Sequence, residues 1–397
     1  MSKVIIHANS VFDWKTCKLE SSDRIEYSGP VMLMAAPDDY LDVADLKNVA
    51  AGGIVREDVL DEIFDISDIP TPFLDMIGND SFSNSYSEWD EDKLGDPNTD
   101  NAVVSGTDST SAGNDATVGN VIRVGNHAQI STKDIQITER SDAVNSIGMA
   151  GAMGYQTTRR LQELRRDIEA ICLTQQASVQ DNGNNTAGKS AGAGAWIKTN
   201  DYFGGSGASG GFNTSTKVVD APTVGNARSL TWEMIATGIE AVYTLGGNPS
   251  ILMSVPKMTK RIARYLFTTA YAAQPTANIA GSGGGVAQVS QGYIDSFRTD
   301  FGTTMQIVPN RLQPTYLDSA ADPDVTVCNV YGFDPRYWKL GTLYGWKLDA
   351  LGKTGLSHKK LAHVDWMLKC FLERANFCIR DIDFTVAVTE DTSTINT

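Results

Sequence analysis

A chain of 397 residues, 41% of them hydrophobic, carries enough apolar material for sizeable cores, which excludes disorder as the default reading and leaves room for two or three compact units. Its formal charge of −15 argues against a non-specific nucleic-acid binder, because affinity for phosphate backbones comes from basic contacts. Five cysteines (Cys17, Cys172, Cys328, Cys370, Cys378) include no C-x-x-C pair, which speaks against a disulfide framework or a zinc module and fits a reducing compartment.

No run of about 18 apolar residues occurs, so no membrane span is expected, and residues 1–12 lack the apolar stretch of a signal peptide. Both features point to synthesis in a cytosol. The placement of the charge is more informative than its size. Residues 57–142 hold 19 Asp and Glu against 4 Lys and Arg, a net of −15, so the remaining chain, with 29 of each sign, is balanced. Such a segment is most simply a solvated face; its sharper reading is an arm that docks on a basic surface of another subunit.

In chain order, residues 1–50 show no sustained periodicity and predict an extended arm. Residues 55–64 (VREDVLDEIF) space Val55, Val59, Leu60 and Ile63 as a short amphipathic helix. The prolines of 69–77 (IPTPFLDMI) are expected to stop it. Residues 82–89 alternate like a strand, 90–117 are polar and acidic, and 118–137 return to alternation through Val121, Ile130, Ile135 and Ile137. This predicts two strands joined by a long polar tip. A lone ribbon is marginal in water, so it is expected to find its missing surface on a sister molecule. From Ser141, with Ser141 or Asp142 as N-cap, a helix of about 35 residues and about 50 Å is predicted, on the steps of Leu161, Leu164, Ile168, Ile171 and Gln175. Gly148, Gly151 and Gly154 leave one side of it smooth. Residues 178–216 read as a glycine-rich loop or mobile insertion. Helices over 231–244 and 257–269 flank a strand over 251–255. A glycine-rich loop at 281–285 precedes strands around 288–298 and 305–310. Strands follow at 325–333, 346–351, 363–373 and 377–388, and a frayed polar tail begins at Thr389.

Several motifs invite catalytic readings. Residues 183–190 fit G-x-x-x-x-G-K-[ST], but a phosphate cradle needs a strand before the loop and a helix at Lys189, and neither flank supplies one. Two G-x-S-x-G matches, at Ser190 and Ser209, lack the strand and helix of a nucleophile elbow, and only four histidines exist to serve as base. His358, His363, Asp365 and Cys370 match no metal-site spacing. Arg159, Arg160, Arg165 and Arg166 crowd two helical turns; they could meet phosphate, but a basic face more often meets solvent or carboxylates. No catalytic residue, cofactor or metal is therefore expected.

The order of these elements resembles the Hong Kong 97-type capsid fold of tailed bacteriophages, an α+β architecture. More narrowly, residues 56–60 (REDVL), 71–74 (TPFL), Glu88-Trp89 and 348–355 (LDALGKTG) resemble a phage major head protein family found in certain podoviruses. The resemblance, over about 50–388, implies a major capsid protein that assembles as pentamers and hexamers into an icosahedral head around double-stranded DNA, made in the host cytoplasm and resident in the virion. It divides the chain into an N-terminal arm (1–50), a short helix and turn (51–80), an extended loop (81–138), a spine helix with the glycine-rich insertion (139–219), an axial domain (220–325), peripheral strands (326–388) and a tail (389–397). No long coiled segment precedes residue 50, which implies a separate scaffold protein; portal and decoration proteins are further implied partners, and DNA would be enclosed without sequence-specific binding. Lys–Asn cross-linking carries over from no motif here.

The candidate subunit interface pairs Glu88, Asp90, Glu91, Asp92 and Asp96 of the loop with Arg159, Arg160, Arg165 and Arg166 of an adjacent copy. The rival readings are a nucleotide-binding or hydrolytic enzyme using 183–211 and a trimeric adhesin or tail-fibre module.

Overall fold

The computed structural model describes residues 4–13, 18–27, 70–93, 97–100, 102, 104–106, 121–144, 151–273, 295–318, 325–353 and 355–388. The predicted helix at 55–64, the loop at 281–285, most of the ribbon tip and the tail lie outside them. The chain divides into two compact units, Met1–Ile63 and Phe64–Thr397. In the first, Val4–Asp13 and Lys18–Tyr27 form an antiparallel hairpin with Ile6 opposite Ile25. The featureless arm expected there thus contains regular pairing. Register irregularities between Ala8 and Phe12 interrupt the alternation that would have announced it.

Among the described residues the second unit is built on a seven-stranded and a four-stranded sheet, with two two-stranded pairings besides. One has seven strands, in the order Ser296–Arg298, Thr304–Pro309, Ile251–Ser254, Thr326–Phe333, Phe377–Asp383 and Asp201–Tyr202, with Tyr316–Leu317 added on Thr326–Phe333. Alternation along its central strands supplies two cores. Tyr331, Phe333 and Cys378 belong to one, with Phe73, Leu164, Ile168, Trp196 and Trp338. Cys328, Val330, Phe377 and Ile379 belong to the other, with Ile235, Ile239, Met258 and Ile262 from two helices. Those helices are Trp232–Thr244, whose N-cap Thr231 accepts a hydrogen bond from the Met234 N–H, and Pro256–Ala273, which opens on a proline. A missing N–H costs nothing in the first turn of a helix.

The second sheet orders Gly78–Ser81, Trp338–Ala350, Ser357–Cys370 and Gln129–Thr138. Its buried face carries Ile135, Ile137, Ala362 and Val364, and a 2.6 Å ion pair from Lys133 to Asp167 joins it to the spine helix.

The spine differs from its prediction. Instead of one helix of about 35 residues, a short helix Glu139–Ala143 is capped by Thr138, and a 21-residue helix runs Ala152–Cys172, about 31 Å long. Val144 turns extended and Gly151 takes φ +87, a conformation glycine adopts without a Cβ penalty. Asp142 is a cap across the gap: its carboxylate accepts from the Met153 N–H at 3.3 Å. Hydrophobic periodicity runs on through such a break, which is why the pattern alone merges the two helices.

At the Thr71-Pro72 turn, Pro72–Met76 forms a helical turn with Pro at its start, and its Phe73 is fully buried. One further expectation is corrected. The insertion at 178–216 is only partly a loop: Ala191, Ala193, Ala195, Trp196 and Ile197 are at most 1% exposed. The glycines there serve close approach, since a Cβ on Gly192 would stand 2.3 Å from the Thr174 carbonyl oxygen.

A buried carboxylate locks these pieces. Glu169 of the spine accepts hydrogen bonds from the Phe73 N–H (2.9 Å), the Leu74 N–H (2.8 Å) and the Asn310 amide (2.6 Å). Glu169→Ala is expected to cost at least about 2 kcal/mol, because buried donors lose their acceptor, read as a lower urea midpoint. Asn310→Ala leaves the carboxylate its two backbone donors and should cost less.

Candidate functional site: the ribbon root and the spine arginines

The ribbon is a composite of two pairings. Tyr86–Glu91 pairs antiparallel with Ile122–His127, Trp89 facing Val124 and Asp90 facing Arg123. At Ala128, whose N–H donates to the Ser85 carbonyl at 2.8 Å, the chain leaves its partner. It then continues as Gln129–Thr138 on the edge of the four-stranded sheet, beside Ser357–Cys370. The single long strand predicted over 118–137 is therefore two strands in different sheets.

The root of the ribbon leans on its own chain. The Trp89 ring lies 5.6 Å from Trp196 and 5.7 Å from Phe371, and its indole N–H donates to the Cys370 carbonyl at 2.9 Å. Asn126, fully buried, donates to the Leu368 carbonyl (2.8 Å) and the Ser190 hydroxyl (3.1 Å), and accepts from the His127 and Ala191 N–H groups. The same Ser190 hydroxyl accepts from the Leu368 N–H at 3.0 Å. Partners 64 and 242 residues away leave no local sequence signal, so Asn126 and Ser190 were not legible as anchors.

Those contacts also dispose of the phosphate-loop and nucleophile-elbow readings at Ser190, whose hydroxyl is held by the ribbon root. Lys189 pairs through its backbone with Val179 in an isolated antiparallel bridge, and Asn182 folds the intervening turn by accepting from three successive N–H groups. Among the described residues no three His, Cys, Asp or Glu side chains converge to hold a metal. His363 stands 3.7 Å from Asp349, and Cys370 is fully buried.

Of the acidic candidates, Glu88, Asp90 and Asp92 are exposed, Glu91 is half-buried, and Asp96 lies outside the described residues. Asp90 pairs with Arg123 at 3.1 Å. Burial first, and the neighbouring Glu373 carboxylate second, push Glu91 up to about 7 against the pull of Arg374. On the spine, Arg159 and Arg160 reach Glu163 at 3.6 and 2.5 Å. Arg165 pairs with Asp75 and donates to the Thr71 hydroxyl at 3.0 Å. Within the described residues the acidic loop and the spine arginines are not brought together; Arg159, Arg160 and Arg165 answer carboxylates nearer by.

A model of the SU10 major capsid protein family matches residues 43–383. The chain belongs to the SU10 major capsid protein family. The major capsid protein of Escherichia phage Phieco32 is 28% identical over 107 residues, 27% of this chain and 29% of that protein, so the match spans under a third of that relative. In solved structures, the cyanophage A-1(L) capsid asymmetric unit has a TM-score of 0.56 at 13% identity, covering 85% of this chain and 99% of that one. The capsid of a native GTA particle gives 0.50 at 12% identity, over 86% and 99%. The fold is the Hong Kong 97-type capsid fold, and this bacteriophage capsid protein is structural, not an enzyme.

The raised Glu91 has a consequence for the capsid protein's stability. The folded state holds a proton that the unfolded chain releases, so this contribution is full below the ordinary glutamate value of 4.5 and is lost as pH rises through about 7. Wild-type Tm is expected to fall more steeply than that of Glu91→Gln from about pH 5 to about pH 8, measured by Trp fluorescence or calorimetry; parallel curves would show that the carboxylate is not strained at the root.

Proposed function

We propose that this capsid protein assembles with copies of itself, as pentamers and hexamers, into an icosahedral head that encloses double-stranded DNA in the virion, and that assembly takes place in the host cytoplasm. The observation that carries this reading, beyond family and fold, is the outer half of the hairpin formed by Trp338–Ala350 and Ser357–Cys370. There Leu343, Trp346, Leu348, Leu351 and Leu356 are all exposed, Leu356 to 78%. Large apolar side chains gathered at one projecting end suit burial against another molecule. In this reading 220–325 is the axial domain around fivefold and sixfold axes, 139–219 and 326–388 form the peripheral domain, and 81–138 overlaps a neighbour, anchored at its root by its own chain. A separate scaffold, a portal and decoration proteins are the further partners.

In the same reading, Glu88, Asp90, Glu91, Asp92 and Asp96 of one copy approach Arg159, Arg160, Arg165 and Arg166 of the next. Each exposed pair contributes only about 0.2–1 kcal/mol, but a closed shell repeats it in every copy. Arg166 makes no ion pair or hydrogen bond among the described residues, so Arg166→Glu tests the pairing without disturbing the Asp75 contact of Arg165. Arg166→Glu, alone and with Arg165→Glu, is expected to reduce particle yield in negative-stain images while the subunit stays folded by circular dichroism. Normal particles would remove the pairing, and trimers in place of shells would favour a fibre module.

The DNA is enclosed without sequence-specific binding, in keeping with an acidic subunit that offers few phosphate contacts. Purified subunits are expected to leave duplex DNA unshifted in gels at physiological salt; a tight, sequence-dependent shift would contradict this.

A further inference from the structure

The helix Pro256–Ala273 carries Lys257, Lys260, Arg261 and Arg264 at spacings of three and four residues, so the four cations share one face about 10 Å long. Its opposite face, with Met258 and Ile262 fully buried, is committed to the core. The cationic face borders an open groove of about 500 Å³ whose floor is Tyr265 with Ala387 and Val388 from the end of the last strand region. No carboxylate lines it among the described residues. The Lys257 ammonium lies 5.0 Å above the Phe384 ring, and the Tyr265 ring stacks 6.1 Å from Trp232, so the groove is held by aromatic packing from both sides. A cationic rim over an apolar floor suits an acidic amphipathic peptide better than phosphate, which has nothing to cover the floor.

The sequence contains such a peptide. Residues 57–68 hold six carboxylates and no Lys or Arg, with Val59, Leu60, Ile63 and Ile66 at helical spacing between them. In a helix, Glu57, Asp61 and Asp65 step by four and cover about 12 Å, the reach of the cationic face. We propose that this groove receives residues 57–68 of a second copy, an inter-subunit contact separate from the pairing of the acidic loop with the spine arginines. The proposal rests on the reading of the protein as a self-assembling subunit. Each copy offers one groove and one acidic segment, as a head-to-tail ring contact requires.

Charge exchange tests it. Lys260→Glu with Arg261→Glu, and separately Asp61→Lys with Asp65→Lys, are each expected to lower particle yield roughly tenfold or more, and the combined variant to restore it. Wild-type protein is the control: if it forms no particles, the shell reading itself fails, whatever the variants do. With wild-type shells present, unchanged yield in either reversal overturns the contact, as does a combined variant that folds with wild-type Tm yet stays unassembled. If a reversal lowers Tm, a labelled peptide of residues 55–69 titrated onto wild-type full-length protein decides instead. Saturable binding weakened by salt, and absent for a scrambled peptide of the same composition, supports the contact. No binding, or displacement of the peptide by short duplex DNA at equal concentration, overturns it. Oxidation of Lys260→Cys/Asp61→Cys shells should yield interchain cross-links; purely intrachain cross-links overturn the assignment to a second copy.

Discussion

The carboxylate of Glu169 sits fully buried where three separate parts of the chain meet, and the arrangement around it depends on its three donors. Burial raises its pKa, while the Phe73 and Leu74 N–H groups and the Asn310 amide favour the charged form. A carboxylate removed from water is costly unless its lone pairs are matched by donors, so the site is stable only when the proline turn, the spine helix and the strand end at Asn310 are all in place. The same geometry drives Phe73 between Phe333 and Trp338, with ring centroids 5.0 and 6.0 Å away. Since Gly78–Ser81 begins two residues after the turn and joins Trp338–Ala350 in parallel, this one buried acceptor also fixes where the acidic ribbon departs.

A second constraint is that two cores share strands. Thr326–Phe333 and Phe377–Asp383 send alternate residues to opposite faces, so a change on one side is felt by the other through the same backbone. The buried Arg380–Asp201 ion pair, with both side chains fully enclosed, lies at the edge of this sheet, and Arg380 also donates to the Gly194 carbonyl. Burial raises Asp201 to about 6 even against that partner. Breaking such a pair by removing one partner leaves an uncompensated charge, and through the Gly194 carbonyl the pair is tied to the glycine-rich insertion.

The distribution of charge follows from this architecture. Arg159, Arg160 and Arg165 of the spine find carboxylates close by in sequence or in the adjoining turn, and the ribbon root finds apolar cover on Trp196 and Phe371. Exposed among the described residues are the leucines of the long hairpin, Glu88 and Asp92 of the loop, and Lys257 and Lys260 of the helix Pro256–Ala273.

Much of this was decided by the sequence itself. The helices at 231–244 and 257–269 and the strands at 251–255 and 325–333 follow from period and capping, and the order of elements together with the short motifs led to the capsid fold. Local pattern suffices there because each element declares its own buried face. The break at Gly151, the division of the ribbon at Ala128, the burial of 191–197 and the anchoring roles of Asn126, Ser190 and Glu169 were settled only by tertiary structure. In each of these a polar group or a small residue takes its meaning from a partner scores or hundreds of residues away, and periodicity carries no information about which distant donor or carbonyl will stand opposite.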